Sequence, residues 1–178
     1  AHERDSQVGT TDIGNLLTPS MSINEICVRI GNLSNAERYS LLFHHVDPPT
    51  TFPTTFSHGS HRRFNVGWLK KYPWLRYSLK LNAVFCGPCS VLLPDADRKD
   101  KGVFVNRPFS NWVEISISLT KHSKHLYHRD SLLSADTLKT TTENPSSRID
   151  VMMSTILCKL RWRKTSISFI KLCVPLCF

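Results

Sequence analysis

The sequence has no uninterrupted apolar run long enough to span a bilayer. A spanning helix needs roughly 20 mainly apolar residues. The most apolar segment, 156–178, is broken by Lys159, Arg161, Arg163, Lys164, Lys171 and Pro175, so no membrane role is expected. Residues 1–20 carry Glu3, Asp5 and Asp12 without an apolar core, so no secretory signal is expected there. Cysteine is unevenly placed. Cys27 and Cys158 stand alone, Cys173 and Cys177 lie at the end, and Cys86 and Cys89 form a C-x2-C pair. Without a secretory signal this pattern argues against a disulfide framework and for a metal site at the close pair. Acidic residues are also few, and six of the 14 fall before residue 61. Two-metal strand transfer needs three carboxylates, and none here lies in an apolar strand context. A Cys–His nucleophile would need Cys86 or Cys89 to be free of metal. An enzyme with a small-molecule substrate is therefore not expected. No internal repeat is evident. Hydrophobic residues make up only 40% of the chain, so a compact middle with loose ends is the expectation.

What is abundant is positive charge in one place. Residues 1–60 hold three Arg and six acids, a net of −3. Residues 61–133 hold thirteen Lys or Arg against five acids, a net of +8, and residues 134–178 a net of +4. The positive field coincides with the close Cys pair and a histidine cluster. A basic module of this kind fits a polyanionic partner, usually nucleic acid.

Local patterns divide the chain. Residues 1–33 show weak periodicity and read as a disordered leader. Ser34 with Glu37 makes a capping box, and Tyr39, Leu42 and Phe43 follow at helical spacing, which predicts a helix over about 35–46 ended by Pro48-Pro49. Residues 48–60 read as a Pro/Thr linker. Phe64, Trp68 and Tyr72 recur every four residues, as on one helical face. Residues 76–85 read as a short strand, paired with Val91-Leu92-Leu93 across the Cys turn. A charged loop and a short strand over Val103–Val105 follow. Asn111 and Glu114 repeat the capping spacing, so a helix is expected from about Trp112, although Val113, Ile115, Ile117 and Leu119 also alternate as a strand would. Residues 134–150 read as a linker.

Cys86-Gly87-Pro88-Cys89 is a tight turn that can aim two sulfurs at one ion. Gly87 lets the backbone fold back and Pro88 stiffens it. Zinc takes four soft or borderline ligands, and two thiolates with two imidazoles satisfy it. The run KHSKHLYHR supplies His122, His125 and His128. Spacing leaves the choice among them open. His122 and His128 would need the helix to end or distort between them, whereas either i, i+3 pair would not.

The residues Arg63-Phe64, Trp68, Tyr72-Pro73-Trp74-Leu75, Tyr77-Ser78, Phe85-Cys86, Cys89, Phe109, Asn111-Trp112, His122 and His128 carry a likeness. The run resembles the TTF-type zinc finger of hAT-class transposases and of the zinc-finger MYM-type proteins derived from them. The likeness extends over about residues 33–151. It implies a zinc-stabilised, DNA-binding module at 61–133, acting in the nucleus. It favours Cys86, Cys89, His122 and His128 as ligands, with His125 a neighbour. The family's long catalytic region has no counterpart in residues 152–178, so a module without catalysis is expected.

The combined expectation is an α+β fold: a small zinc-stabilised module of a short β-hairpin and helices, with flexible N- and C-terminal segments. Its domains would be a leader (1–33), a helix and Pro/Thr linker (34–60), the finger (61–133) and a linker with an irregular tail (134–178). Arg62, Arg63, Lys70, Lys71, Lys121, Lys124 and Arg129 are the expected DNA contacts. A second reading is a protein-interaction module that presents Trp68, Trp74 and Trp112.

Overall fold

Two capping boxes of the same design open the fold. The structure is a computed structural model and describes residues 11–44, 49, 51–57 and 59–144. The Ser22 hydroxyl accepts from the Glu25 backbone N–H, and the Glu25 carboxylate accepts from the Ser22 N–H at 2.8 Å. Ser34 and Glu37 repeat this, again with a 2.8 Å return bond. Each box satisfies backbone donors that a helix start leaves unpaired. They begin α1 (Ile23–Gly31) and α2 (Asn35–Phe43).

The disordered leader is corrected over its described part. Residues 11–33 hold a short 3-10 turn, Ile13–Asn15, and α1, and they bury Ile13, Leu17, Ile26 and Ile30. These apolar residues are spread over two short elements, so no single window shows a helical period. α2 forms as expected but stops at Phe43, where His44 turns extended. The expected stop at Pro48 lies outside the described residues.

The Pro/Thr linker is corrected too. It contains β1 (Thr54–Ser57), which pairs antiparallel with β2 (Ser60–Arg63). Gly59, at φ 74°, takes the left-handed conformation that a tight hairpin connection requires. Both strands are mostly exposed, so no apolar alternation announces them.

α3 spans only Gly67–Lys71, opened by the Asn65 side chain accepting from the Gly67 N–H at 2.8 Å. Phe64 precedes it and Tyr72 follows it, so the three rings do not share a helical face. Phe64 and Trp68 still meet, with centroids 5.5 Å apart. β3 (Leu75–Ser78) and β4 (Ala83–Cys86) form the second hairpin, with Leu75 opposite Cys86. The expected pairing with Val91–Leu93 does not occur, because the Cys segment begins a helix, α4 (Gly87–Leu92), instead of a turn. α5 (Asp95–Arg98) replaces part of the charged loop. Val103–Val105 forms no regular strand, and isolated bridges tie Val103 to Arg107 and Val84 to Phe109.

α6 (Ile115–His122) resolves the conflict between helix and strand. Ile115 and Leu119 are buried one turn apart, while Val113 and Ile117 are exposed. The Asn111–Glu114 capping box does not form. Asn111 accepts from the Val113 N–H at 3.2 Å, and Glu114 makes no capping bond. α7 (Leu126–Glu143) runs through the first part of the expected 134–150 linker. Its register is set by few apolar groups, among them the buried Ala135 and Leu138, on an otherwise polar sequence. The expected irregular tail lies outside the described residues.

The fold is thus mixed α+β, with two antiparallel hairpins among helices. The compact unit that contains the core ends at Leu138. Its interior has two parts. One is aromatic and includes Phe64, Phe104, Phe109 and Trp112 with Val84, Cys86 and Cys89. The other is mainly aliphatic and joins Ile13, Leu17, Ile26, Ile30, Leu41 and Leu42 to Phe85 and Val91. β4 serves both. Successive strand residues point to opposite faces, so Val84 and Cys86 enter the first part and Phe85 the second. No helix among the described residues is long and apolar enough to cross a membrane.

Candidate metal centre

Four elements deliver four side chains to one point. Cys86 is the last residue of β4 and the N-cap of α4, and Cys89 lies in the first turn of α4. His122 is the last residue of α6, and His128 lies in the first turn of α7. The break between α6 and α7 is what lets two histidines six positions apart converge. Their ligand atoms all lie within 4.8 Å of one another, and all four residues are buried. His128 Nδ1 is 3.3 Å from Cys86 Sγ and 3.4 Å from Cys89 Sγ. A tetrahedron with metal–ligand bonds of about 2.0–2.3 Å has edges of about 3.3–3.8 Å, which fits these contacts. Cys86 and Cys89 are free thiols, not a disulfide.

His122 supplies the clearest sign that a cation belongs here. Its Nε2 is buried and has no hydrogen-bond partner. Such an orphan is costly in a protein interior, and a bound cation would satisfy it. The other ring nitrogen, Nδ1, is 3.5 Å from Tyr127 Oη. With Nδ1–H donating to that oxygen, Nε2 is left as a lone-pair ligand, which is how outer contacts fix the tautomer of metal-binding histidines. His125 is exposed and stacks on Tyr127 at 4.9 Å, outside the group.

The two thiols differ. Burial pushes the Cys86 thiol up, and its hydrogen bond with Cys89 pushes it further. The same hydrogen bond, with the His122 and His128 imidazoles beside it, holds Cys89 well below the usual thiol range against the effect of burial. The pocket therefore favours one thiolate unaided, and metal binding would release the second proton. The nearby sulfurs, together with burial, push the Tyr127 phenol up to about 12, with burial the larger cause. It remains a neutral hydroxyl beside His122.

Aromatic rings wall the site. Trp74 lies 4.6 Å from the His128 ring and 5.4 Å from His122. The Phe104 ring is 5.2 Å from His122. Phe104 has φ 67°, a strained conformation for a bulky residue. It is held there because its carbonyl accepts from the Cys86 N–H at 2.8 Å and the Ser90 hydroxyl at 3.0 Å. Gly87 is needed for close packing more than for turning. A Cβ there would lie 3.0 Å from Arg76 Cγ and 3.2 Å from Leu42 Cδ2.

Three arginines that count as positive charge in the sequence act as clamps on backbone carbonyls. Arg98 is buried and donates to the carbonyls of Cys89, Ser90 and Leu93, at 3.4, 2.9 and 3.2 Å, which caps α4 beneath the cysteines. Arg38 donates to Ile30, Leu33 and Val91, joining α1 and α2 to α4. Arg76 donates to Pro73, Leu75 and Leu42. Burial lowers the Arg76 pKa to about 10, so it stays charged at neutral pH. Sequence reasoning missed these clamps and the part played by Tyr127. Adjacency to His128 was the one available signal for Tyr127, and nothing local marks the clamps.

The expected DNA contacts divide by exposure. Arg63, Lys70, Lys71, Lys121, Lys124 and Arg129 are exposed, whereas Arg62 is half-buried. Tyr72 Oη meets Thr120 Oγ1 at 3.4 Å, which joins the end of α3 to α6 beside Lys71 and Lys121. The three tryptophans do not form a presentation surface. Trp112 is 6% exposed, and Trp68 and Trp74 are half-buried against the aromatic core. No protein-family model, curated protein or solved structure matches the chain.

Proposed function

We propose that this chain is a zinc-dependent DNA-binding module of a transposase-derived protein, acting in the nucleus without catalysis of its own. One observation carries the metal part of the reading: two sulfurs and two imidazole nitrogens, all buried, converge within 4.8 Å. Soft thiolates with imidazoles in a tetrahedral set select zinc over hard cations. Four protein ligands close the coordination sphere, leave no position for a reactive water and make the metal structural. When bound, zinc would tie β4 and α4 to α6 and α7 through Cys86, Cys89, His122 and His128.

The DNA part draws its support from charge and from the resemblance to the TTF-type finger. Residues 61–133 carry a net of +8, and six of the seven proposed contacts are exposed. Six phosphate contacts predict that log K falls against log salt with a slope of about −5 on duplex DNA. The test is metal analysis of the purified full chain, then duplex binding across a salt series. One zinc per chain, lost on Cys86→Ala, with the stated slope is the expected result. Salt-independent affinity, or a metal-free folded chain, would refute the reading.

A further inference from the structure

The register of the first hairpin separates two arginines that adjoin in sequence. Residues directly opposite in an antiparallel pair share a face. Thr54 pairs with Arg63 and Phe56 with His61, while Thr55 pairs with Arg62 and Ser57 with Ser60. The second set is turned partly toward the body of the protein, with Thr55 and Ser60 exposed. Arg62 and Ser57 are half-buried, and Asn82 Nδ2 donates to Thr55 Oγ1 at 3.5 Å. The first set is exposed at all four positions. It presents an aromatic pair with centroids 5.2 Å apart, in which Phe56 is 67% exposed, beside the free fork of Arg63. Residues 48–94 contain no Asp or Glu but carry Arg62, Arg63, Lys70, Lys71, Arg76 and Lys80. The charged side chains of the ribbon and of the segment that follows it to Pro94 are therefore all of one sign, while residues 48–53 before it are uncharged.

We propose that the outer face of β1–β2 enters the major groove of B-form DNA and reads base edges there. The inference rests on the DNA-binding reading above and names the element that supplies specificity. The major groove is about 12 Å wide and admits a two-stranded ribbon. Arg63 has the planar donor fork that matches guanine O6 and N7, and Phe56 supplies the apolar contact that thymine methyl groups take. The lysines of α3 and α6 hold phosphates and fix the register on the duplex. A-form RNA has a major groove too narrow for such an element, so the proposal commits to DNA.

The test uses the zinc-loaded full chain. A randomised 20-bp duplex library is selected for binding, and the selected duplex is compared with a scrambled one. Arg63→Ala is expected to weaken the selected duplex about 10- to 100-fold and the scrambled one by a much smaller factor, the loss of one phosphate contact, so that preference collapses. Phe56→Ala is expected to do the same to a smaller extent. Arg63→Lys, which keeps the charge and loses the planar fork, should leave the scrambled duplex unaffected and lose only part of the preference. The pair Lys70→Ala with Lys71→Ala should weaken both duplexes alike and flatten the salt slope. Metal content and near-ultraviolet circular dichroism verify folding of each variant, and the exposed positions are expected to pass. A selection without sequence preference, equal binding to an RNA duplex, or ribbon variants that bind like the wild type while the lysine pair is impaired would each overturn the ribbon proposal and leave DNA binding standing. Failure of the zinc-loaded wild type to bind any duplex would overturn both.

Discussion

The two halves of the interior are stabilised by different means. The N-terminal half is aliphatic, built from short helices that start at their own capping boxes and pack Ile13, Leu17, Ile26, Ile30, Leu41 and Leu42 together. Its order is written locally and completed by burial. The other half surrounds two cysteines and two histidines with aromatic rings. Its elements are short, several lack side-chain caps, and Phe104 is held in a strained conformation. Short uncapped helices are marginal alone, so this half depends on what joins its elements at the centre. A small domain can therefore combine one part that apolar burial sustains with another arranged around a group able to hold a metal ion.

Chelation tests that contrast most severely. Removing the metal should cost on the order of 10 kcal/mol and fall on the aromatic half. Near-ultraviolet dichroism from Trp68, Trp74 and Trp112 should vanish, while part of the far-ultraviolet helical signal survives. Loss of both signals together would show a single cooperative unit. Phe85→Ala attacks the boundary from the aliphatic side. Phe85 is fully buried, and its truncation should cost about 3–5 kcal/mol in denaturant melts with zinc stoichiometry unchanged. Loss of zinc from that variant would erase the distinction between the halves. Tyr127→Phe removes the oxygen beside His122 Nδ1. Zinc affinity should fall about tenfold in competition with a chromophoric chelator, with little change in the apolar half. The mildest change is Ser34→Ala, which breaks one capping box. It should cost about 1 kcal/mol by thermal melting and leave zinc affinity untouched.

The same contrast explains what was legible in the sequence. Ser34 with Glu37 and the C-x2-C pair with its histidine cluster are local patterns, and each reappears in the structure. Ser22 and Glu25 have the same capping spacing, yet the leader reads as loose because its apolar residues bury against partners from α2, β4 and α4. The outward strands β1 and β2 lack the alternation that comes from covering one face. α7 extends through a polar stretch because a few contacts suffice once its first turn is fixed at His128. Arg38, Arg76 and Arg98 contribute to net charge in the sequence, but they are engaged inside the fold, which composition alone does not distinguish. The side to which Arg62 and Arg63 each turn depends on strand pairing, which no single residue reveals.

The double service of β4 has a consequence for how the chain avoids error. A slip of one residue along that strand would turn Phe85 toward the imidazoles and bury the Cys86 sulfur among aliphatic groups. Ligation and packing would then fail together, although the hairpin could still form its backbone bonds. Zinc capture would thus act as a proofreading step, retaining the correctly threaded hairpin and rejecting its nearest misaligned competitor.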